Sequence, residues 1–216
     1  MLWTGSRARQ NAAAICARKG AAGAPVLSPA MPSPSPAAPP PRALETLARD
    51  LSAPSAGPPA HWNPPFCGDV DIRVRADGTW LHLGSPIRRP ALVKLFAGVM
   101  RREGADYVLV TPVEKLRIAV DDAPFAGVEL RVSREGDARA LDLRTNVDEW
   151  IALGPDRPLR FSRGPSGGLK PYALVRPGLE ALLARALLFE LADLAETRGA
   201  GAAIVSRGAV FAMEAA

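Results

Sequence analysis

The sequence contains few of the residues on which metal and nucleophilic chemistry depend. Its 216 residues include only two histidines and two cysteines. His61 and Cys67 lie close together in the chain, but they match no zinc-binding pattern. Two cysteines cannot build a disulfide framework, and no Cys–His or Ser–His couple is placed for nucleophilic catalysis. We therefore expect a protein without a metal, a cofactor or catalytic machinery, located in the reducing cytoplasm.

Long hydrophobic runs are absent as well. The longest one, residues 181–195, is interrupted by Arg185, Glu190 and Asp193. A membrane-spanning helix needs about 20 predominantly apolar residues, so we expect no membrane span.

A basic face is also lacking outside the N-terminus. The chain carries a net charge of +5, and residues 1–41 contribute four of these charges without a single acidic residue. The remainder of the chain is therefore close to neutral. Because nucleic-acid binding depends on a basic surface that neutralises phosphates, we expect no nucleic-acid partner.

Proline is concentrated at the start of the chain, where 13 of its 22 copies precede residue 66. Proline runs cannot pair into sheet or helix, so residues 1–41 are predicted to form a disordered tail. The Arg- and Ala-rich start also resembles an organellar transit peptide, and residues 1–30 are alternatively an over-long gene assignment with the true start at Met31. Residues 42–66 are predicted to hold a short helix from Ala43 to Leu51 and a proline-rich connector.

A first α+β domain is predicted over residues 67–138. Val70, Ile72 and Val74 alternate with polar residues, which is typical of a half-buried strand. Asp77-Gly78 then predicts a tight hairpin turn to a partner strand at residues 80–83. The same patterns predict an amphipathic helix from Pro90 to Met100 and strands at residues 107–110, 115–120 and 128–132.

A second domain is predicted over residues 139–216. Its predicted elements are strands at residues 141–144, 150–153, 159–161 and 172–175, a long helix from Pro177 to Thr197, and a closing hairpin of residues 203–206 and 210–213. A Trp-apolar-x-Leu-Gly pattern occurs at residues 80–84 and again at residues 150–154, which suggests an internal duplication. The predicted fold class is α+β, with two related small domains of mostly antiparallel strands, each packed by a helix.

One glycine-rich segment offers chemistry to weigh. Residues 164–168 match the nucleophile-elbow pattern around Ser166, but both histidines lie upstream and a strand is predicted after the segment. The alternatives are an anion-binding loop ending at Lys170 and a plain hairpin loop. An esterase built on Ser166 is thus the weakest of the functional hypotheses.

Two further polar features have both functional and structural interpretations. Asp69 and Asp71 project from one side of a predicted strand. They could hold a cation, or they are solvated or Arg-paired carboxylates. The segment Thr111-Pro112-Val113-Glu114-Lys115 forms a polar corner between two apolar strands, either as part of a site or as a simple turn.

A distinctive Thr-Pro-Val-Glu-Lys run occupies residues 111–115. Further motifs lie at residues 68–73, 77–80, 84–87, 107–110, 121–125, 175–176, 178–180 and 189–191, together with Tyr172. Over about residues 60–213 these motifs resemble a bacterial family catalogued as domain of unknown function 1285, and the run at residues 111–115 is the specific one.

The resemblance implies two related α+β domains from a duplication, the second superficially like a pleckstrin-homology fold. It also implies a non-catalytic role in signal transduction, with a nucleotide-type ligand in the interdomain cleft. Carried onto this sequence, the motif positions that become ligand-binding candidates are Arg73, Trp80, Thr111, Glu114, Lys115 and Arg176. Arg and Lys suit phosphate, Trp suits base stacking, and Thr and Glu suit ribose or base edges; for Trp80 a place in the core is the alternative.

The leading hypothesis is therefore a cytoplasmic protein that binds a nucleotide-like molecule between its domains and passes the signal to a protein partner. The rival hypothesis is a protein-interaction module of pleckstrin-homology type, which contacts a partner polypeptide and binds no small ligand.

Overall fold

A computed structural model describes residues 57–165, 167–199 and 201–214. Within these ranges the chain forms fifteen strands and two helices, so strands predominate in the α+β fold. The tail predicted over residues 1–41 and the helix predicted from Ala43 to Leu51 lie outside the described residues. Neither helix of the described chain is long and apolar enough to cross a membrane.

The first domain is built on a six-stranded sheet with the order β3-β2-β1-β6-β5-β4. All neighbouring strands are antiparallel except the central pair, β1 and β6. The elements are β1 (Phe66–Val74), β2 (Trp80–His82), β3 (Ser85–Pro86), α1 (Pro90–Gly98), β4 (Met100–Glu103), β5 (Asp106–Val110) and β6 (Lys115–Val120).

Local sequence signals account for most of this domain. Asp77-Gly78 makes the predicted turn, since Gly78 takes a positive φ of 83° that glycine adopts without steric cost. Pro90 opens α1 at a position where its missing N–H is not needed. Strand β4 was not predicted, because it is a charged edge strand whose sequence, Met-Arg-Arg-Glu, shows no clear alternation.

The second domain is built on a six-stranded sheet with the order β10-β11-β12-β7-β8-β9. Residues 125–135, which the sequence analysis placed in the first domain, form β7 and pair with β8 and β12 of this sheet. The strands are β7 (Phe125–Glu135), β8 (Ala138–Thr145), β9 (Trp150–Leu153), β10 (Leu159–Arg163), β11 (Leu169–Arg176) and β12 (Leu179–Leu183).

The two sheets share one strand topology. In each, three antiparallel strands run from the centre to one edge, and the next three return from the opposite edge to the centre, where the only parallel pair forms. Strands β1 to β6 thus correspond to β7 to β12. The repeated tryptophan pattern does not follow this correspondence, because Trp80 lies in β2 and Trp150 lies in β9.

The long helix predicted from Pro177 to Thr197 is wrong. Pro177-Gly178 forms a turn, β12 follows it, and the helix is only α2 (Arg185–Asp193). Leu179, Ala181 and Leu183 are buried at alternate positions, because β12 pairs with β11 and with the central strand β7. Leucine at every second or third position satisfies both helical and strand periodicity, and the pairing partners decide between them.

A small third sheet closes the chain with β13 (Glu196–Arg198), β14 (Gly201–Ser206) and β15 (Ala209–Ala212). The predicted hairpin of residues 203–206 and 210–213 is confirmed. The Oγ of buried Ser206 donates to the carbonyl oxygen of Leu153 (2.7 Å) and accepts from the N–H of Leu141 (3.0 Å), which joins this sheet to β8 and β9.

One hydrophobic core runs through both domains. It joins Trp80 and Met100 of the first sheet to Phe125, Leu143 and Phe161 of the second. Because apolar side chains of the two sheets belong to one cluster, the two domains pack directly on each other.

Candidate functional site

The two domains meet where the β1–β2 turn faces the loop between β8 and β9. The Nδ2 of Asn146 donates to the carbonyl oxygen of Gly78 (3.1 Å), and its Oδ1 accepts from the N–H of Ala126 (3.1 Å). A Cβ added to Gly78 would lie 2.7 Å from Asn146 Nδ2 and 3.0 Å from the Ala126 Cβ. The glycine of the turn is therefore required both for its φ and for close approach of the second domain.

The β8–β9 loop, residues 146–149, presents Asn146 and Asp148 to the first domain and Glu149 to Arg176 of the second. Buried Thr145 holds the loop, with its Oγ1 accepting from the N–H of Glu149 (3.2 Å). Asp148 takes a left-handed φ of 62°, and its Oδ2 lies 2.6 Å from the Nζ of Lys94 on α1. Asn146 contacts the β1–β2 turn, Asp148 contacts α1, and Glu149 faces Arg176.

Arg176 and Glu149 form a buried pair of opposite charges. Their side chains are only 7% and 6% exposed, and the closest approach, from Nη2 to Oε2, is 3.6 Å. Nη2 donates to the carbonyl oxygen of Ala97 in α1 (3.0 Å), and the guanidinium lies 5.1 Å from the ring centre of Phe125. Arg176 thereby ties the end of β11 to the first domain.

This pair leaves hydrogen-bonding capacity unused. Oε1 of Glu149 and both Nε and Nη1 of Arg176 are buried without a partner among the described residues. Burial lowers the pKa of the Arg176 guanidinium and raises the pKa of the Glu149 carboxyl, and the attraction between the two groups opposes both shifts. An unpaired buried donor or acceptor costs about 1–3 kcal/mol, which marks this place as one that favours a polar ligand.

Two adjoining cavities lie along this cleft. The Arg176 cavity, about 260 Å³, is lined by Lys94, Ala97, residues 147–150 and Arg176. The Trp80 cavity, about 310 Å³, is lined by residues 78–80, 87–88 and 93–94, together with Pro90, Asn146 and Asp148. Lys94 and Asp148 line both, so their ion pair stands between the cavities. Together the cavities, here called the interdomain cleft, reach the size of small-molecule pockets.

Trp80 belongs to the core and also borders the cleft. Its side chain is 2% exposed and stacks on Phe96 with ring centres 6.1 Å apart. Its Nε1 is buried and has no partner in the described part of the chain. The core alternative for Trp80 is therefore confirmed, and the residue also lines the Trp80 cavity.

The other four predicted site residues lie outside the cleft. Arg73 is exposed on β1, and its Nε donates to Asp121 Oδ1 (2.6 Å). Lys115 pairs with Phe66 at the start of β1, whereas Trp80 pairs with Val74 at its end. The six candidates are thus not brought together, since Thr111, Glu114 and Lys115 lie at the opposite end of the first sheet.

The Thr111–Lys115 corner is a hydrogen-bonded turn. Thr111 Oγ1 accepts from the N–H groups of Val113 and Glu114, and the N–H of Thr111 donates to the carbonyl oxygen of Glu114 (2.9 Å). Nζ of Lys115 donates to Glu103 Oε2 on β4 (2.8 Å), which lowers the pKa of that carboxyl. The corner fastens the β5–β6 hairpin, which agrees with its structural interpretation.

The remaining sequence candidates have structural partners. Asp69 accepts two hydrogen bonds from Arg117 (2.8 and 3.0 Å), so the Arg-paired interpretation is confirmed for that carboxylate. Residues 164–168 connect β10 to β11, which makes them a hairpin loop; Ser166 itself lies outside the described residues. Among the residues that the structure describes, no group of His, Cys, Asp and Glu side chains could hold a metal ion.

Sequence reasoning missed Lys94, Asp148 and Glu149. Lys94 lies off the apolar stripe of the predicted helix from Pro90 to Met100, where a lysine is ordinary, and the two acids lie in a loop where Asp and Glu are ordinary. The sequence carried no signal for the cleft contacts, because Lys94 and Asp148 pair across the domain boundary and Glu149 meets Arg176 on the other side of the second sheet. The local partner of Asp148, Arg144, does not point to the cleft.

Comparison with known proteins identifies the family. The family model described as domain of unknown function (DUF1285), N-terminal domain, matches residues 57–123, and the model of the DUF1285 C-terminal domain matches residues 124–213. No curated protein matches the sequence.

Two solved structures are similar. The crystal structure of a DUF1285 family protein from Silicibacter pomeroyi DSS-3 is 41% identical, with a TM-score of 0.71 over 78% of this chain and 93% of that one. That of a DUF1285 family protein from Shewanella baltica OS155 is 25% identical, with a TM-score of 0.47 over 57% of this chain and 91% of that one. The family matches divide the chain where the second sheet begins, and the chain belongs to the DUF1285 family.

Proposed function

We propose that this protein binds a small nucleotide-like molecule in the interdomain cleft and does not transform it. One observation carries the proposal: the Arg176–Glu149 pair is almost completely buried, borders a cavity and keeps three unpaired polar atoms. A ligand that bonds to these atoms would recover the free energy that their desolvation costs.

The rest of the cleft supplies the contacts that a nucleotide needs. Arg88 and Lys94 border the Trp80 cavity and offer cationic donors for a phosphate. Trp150 lines the Arg176 cavity, is 37% exposed and offers an aromatic face for stacking. Lys94 is held by Asp148 in an exposed ion pair of small free energy, so a phosphate can compete for it.

The position of the cleft supports a role in signalling. A ligand there touches α1 of one domain and the β8–β9 loop of the other, so binding changes the contact between them. The shared strand topology supports descent of both domains from a duplication, as the family resemblance implies. We propose that the protein acts in the cytoplasm, because its sequence contains only two cysteines.

Thermal unfolding of the full chain with GMP, AMP, CMP and UMP tests the proposal. A ligand at 100 times its Kd stabilises by about 2.7 kcal/mol, which raises Tm by about 5–10 °C. We expect such a shift with at least one nucleotide, and we expect Lys94→Gln to weaken it. Glu114→Gln, in the β5–β6 turn, is the control and should respond like the unaltered chain. A flat panel for the unaltered chain contradicts the proposal.

A protein-interaction module of pleckstrin-homology type is the second candidate. It is favoured by Trp150, which is partly exposed on edge strand β9 with the Arg131 guanidinium 4.2 Å from its ring centre. Aromatic and arginine side chains of this kind are enriched in protein interfaces. A partner protein whose binding is lost in Trp150→Ala, together with a flat nucleotide panel, would favour this candidate.

A further inference from the structure

The unpaired atoms of the cleft restrict which part of a nucleotide can lie against them. Neither oxygen of Glu149 accepts a hydrogen bond from the described chain, since Oε1 has no partner and Oε2 is 3.6 Å from Arg176 Nη2. Nε and Nη1 of Arg176, which have no partner in the described chain, can only donate, and Nη1 lies beside Gly57. The matching ligand edge must therefore present donors to the carboxylate and, beside them, an acceptor to the guanidinium.

A phosphate does not meet this requirement. Its oxygens are acceptors, and Glu149 would face them with a second negative charge in a buried place. Arg176 is therefore better suited to a base than to a phosphate, while Arg88 and Lys94 border the adjoining cavity without a buried carboxylate beside them. The nucleotide would lie with its base in the Arg176 cavity and its phosphate in the Trp80 cavity.

The bases differ in the edge that they present. Guanine carries two adjacent donors, N1–H and the N2 amino group, followed by the O6 acceptor. Adenine and cytosine each present one amino donor beside a ring acceptor, and uracil presents one imino donor between two acceptors. Of the four bases, guanine alone carries two adjacent donors, one for each Glu149 oxygen, followed by an acceptor for Arg176.

We infer that the interdomain cleft is specific for guanine nucleotides, with Glu149 and Arg176 reading the edge of the base. This inference rests on the proposed function and adds the ligand class to it. Adenine would leave one carboxylate oxygen buried and unpaired, and a site built from buried polar groups discriminates strongly against such a ligand. Trp150 lines the same cavity and provides a surface on which the purine can stack.

Calorimetric titration of the full chain at pH 7 with GMP, IMP and AMP tests the inference. We expect GMP to bind about tenfold or more tightly than AMP, with IMP, which lacks the N2 amino group, in between. Equal or tighter binding of AMP overturns the guanine assignment but leaves the proposed function standing. If none of the three, nor CMP or UMP, binds, both fail.

The variant Glu149→Gln tests the role of the carboxylate through a change of preference. Its amide keeps one acceptor for N1–H but turns a donor toward the N2 amino group, so GMP affinity should fall about tenfold or more. The same amide matches xanthine, whose O2 is an acceptor, so XMP should bind this variant more tightly than GMP does. Glu114→Gln is the matched control and should keep the original preference.

A Glu149→Gln variant with unchanged preference for GMP contradicts the assignment of the carboxylate. Urea unfolding shows whether the variant is folded. If it is not, the order of GMP, IMP and AMP on the unaltered chain decides by itself.

Discussion

At the scale of single residues, Glu149 has an unusual environment for an acidic side chain. It is a carboxylate with a 6% exposed side chain, and the charged groups that act on it are Arg176 at 3.6 Å and the more distant Arg157. The Lys94–Asp148 ion pair lines the same cavity. Burial raises the pKa of Glu149 above the usual 4.5, because the desolvation of the carboxylate outweighs the attraction of Arg176 and Arg157.

The raised pKa of Glu149 predicts how stability depends on pH. Between pH 4.5 and the pKa in the folded state, the folded protein holds a proton that the unfolded chain has lost. The free energy of unfolding should therefore fall as pH rises through this window, by at most about 1.4 kcal/mol per pH unit. Urea unfolding from pH 4 to pH 8 should show this fall relative to Glu149→Gln, which cannot titrate.

Asp69 provides a control of opposite sign. Its hydrogen bond with Arg117 lowers the pKa of this carboxyl below the usual 3.8, so its contribution to stability is lost only at lower pH. Above about pH 5 the Asp69→Asn curve should run parallel to that of the unaltered chain. If the stability of Glu149→Gln ran parallel to that of the unaltered chain from pH 4 to pH 8, burial would not raise the pKa of Glu149.

At the scale of secondary-structure elements, the β1–β2 turn is both a local and a tertiary feature. Gly78 has a φ of 83°, and the space for a Cβ is filled by Asn146 and Ala126 of the second domain. Gly136, in the β7–β8 turn, has a φ of 60° and nothing within 4 Å of its Cβ position. The two glycines share the backbone requirement and differ in the domain contact.

Gly78→Ala should therefore destabilise the protein more than Gly136→Ala does. A left-handed alanine costs about 1–2 kcal/mol in either turn, and displacement of the β8–β9 loop should raise the cost at Gly78 to about 2–4 kcal/mol. Urea unfolding of the two variants measures the difference. Equal losses would mean that the β1–β2 turn does not support the second domain.

Some of the secondary-structure elements could be predicted from local sequence patterns alone. The β1–β2 hairpin and α1 follow from alternation, Asp-Gly and Pro90, because those signals act within a few residues. Residues 179–183 were predicted as helix because leucines recur at both periods, and only pairing with β7 and β11 makes them a strand. Edge strand β4 escaped prediction because only Met100 of its four residues is buried, and the Arg-Arg-Glu that follows shows no alternation of apolar and polar residues.

At the scale of the whole molecule, the site depends on contacts that no local pattern contains. Trp80 and Arg176 were expected as ligand-binding residues of the interdomain cleft, and both line that cleft. The motif at residues 111–115 is distinctive in sequence, yet it forms a turn at the far end of the first sheet. A motif can be distinctive because it stabilises a hairpin turn. The sequence alone does not distinguish such residues from those that line the cleft, because that depends on how the two sheets are placed.

The common core predicts that the two domains unfold as one unit. Trp80 and Met100 of the first sheet share an apolar cluster with Leu143 and Phe161 of the second, and Arg176 and Asn146 bridge the boundary. Native-state hydrogen exchange should therefore give the buried amides of β5 and β8 the same free energy of opening.

Gly136→Ala makes this prediction sharp, because Gly136 lies in a turn of the second domain with no neighbour at its Cβ position. If the domains are coupled, the variant should lower the opening free energy of the β5 amides by the same amount, about 1–2 kcal/mol, as that of the β8 amides. Hydrogen exchange monitored by mass spectrometry on peptides from both strands measures the two values side by side. A loss confined to the β8 amides would show that the first domain opens independently of the second. The shared core would then not couple the two domains, and only a ligand bound in the cleft could do so.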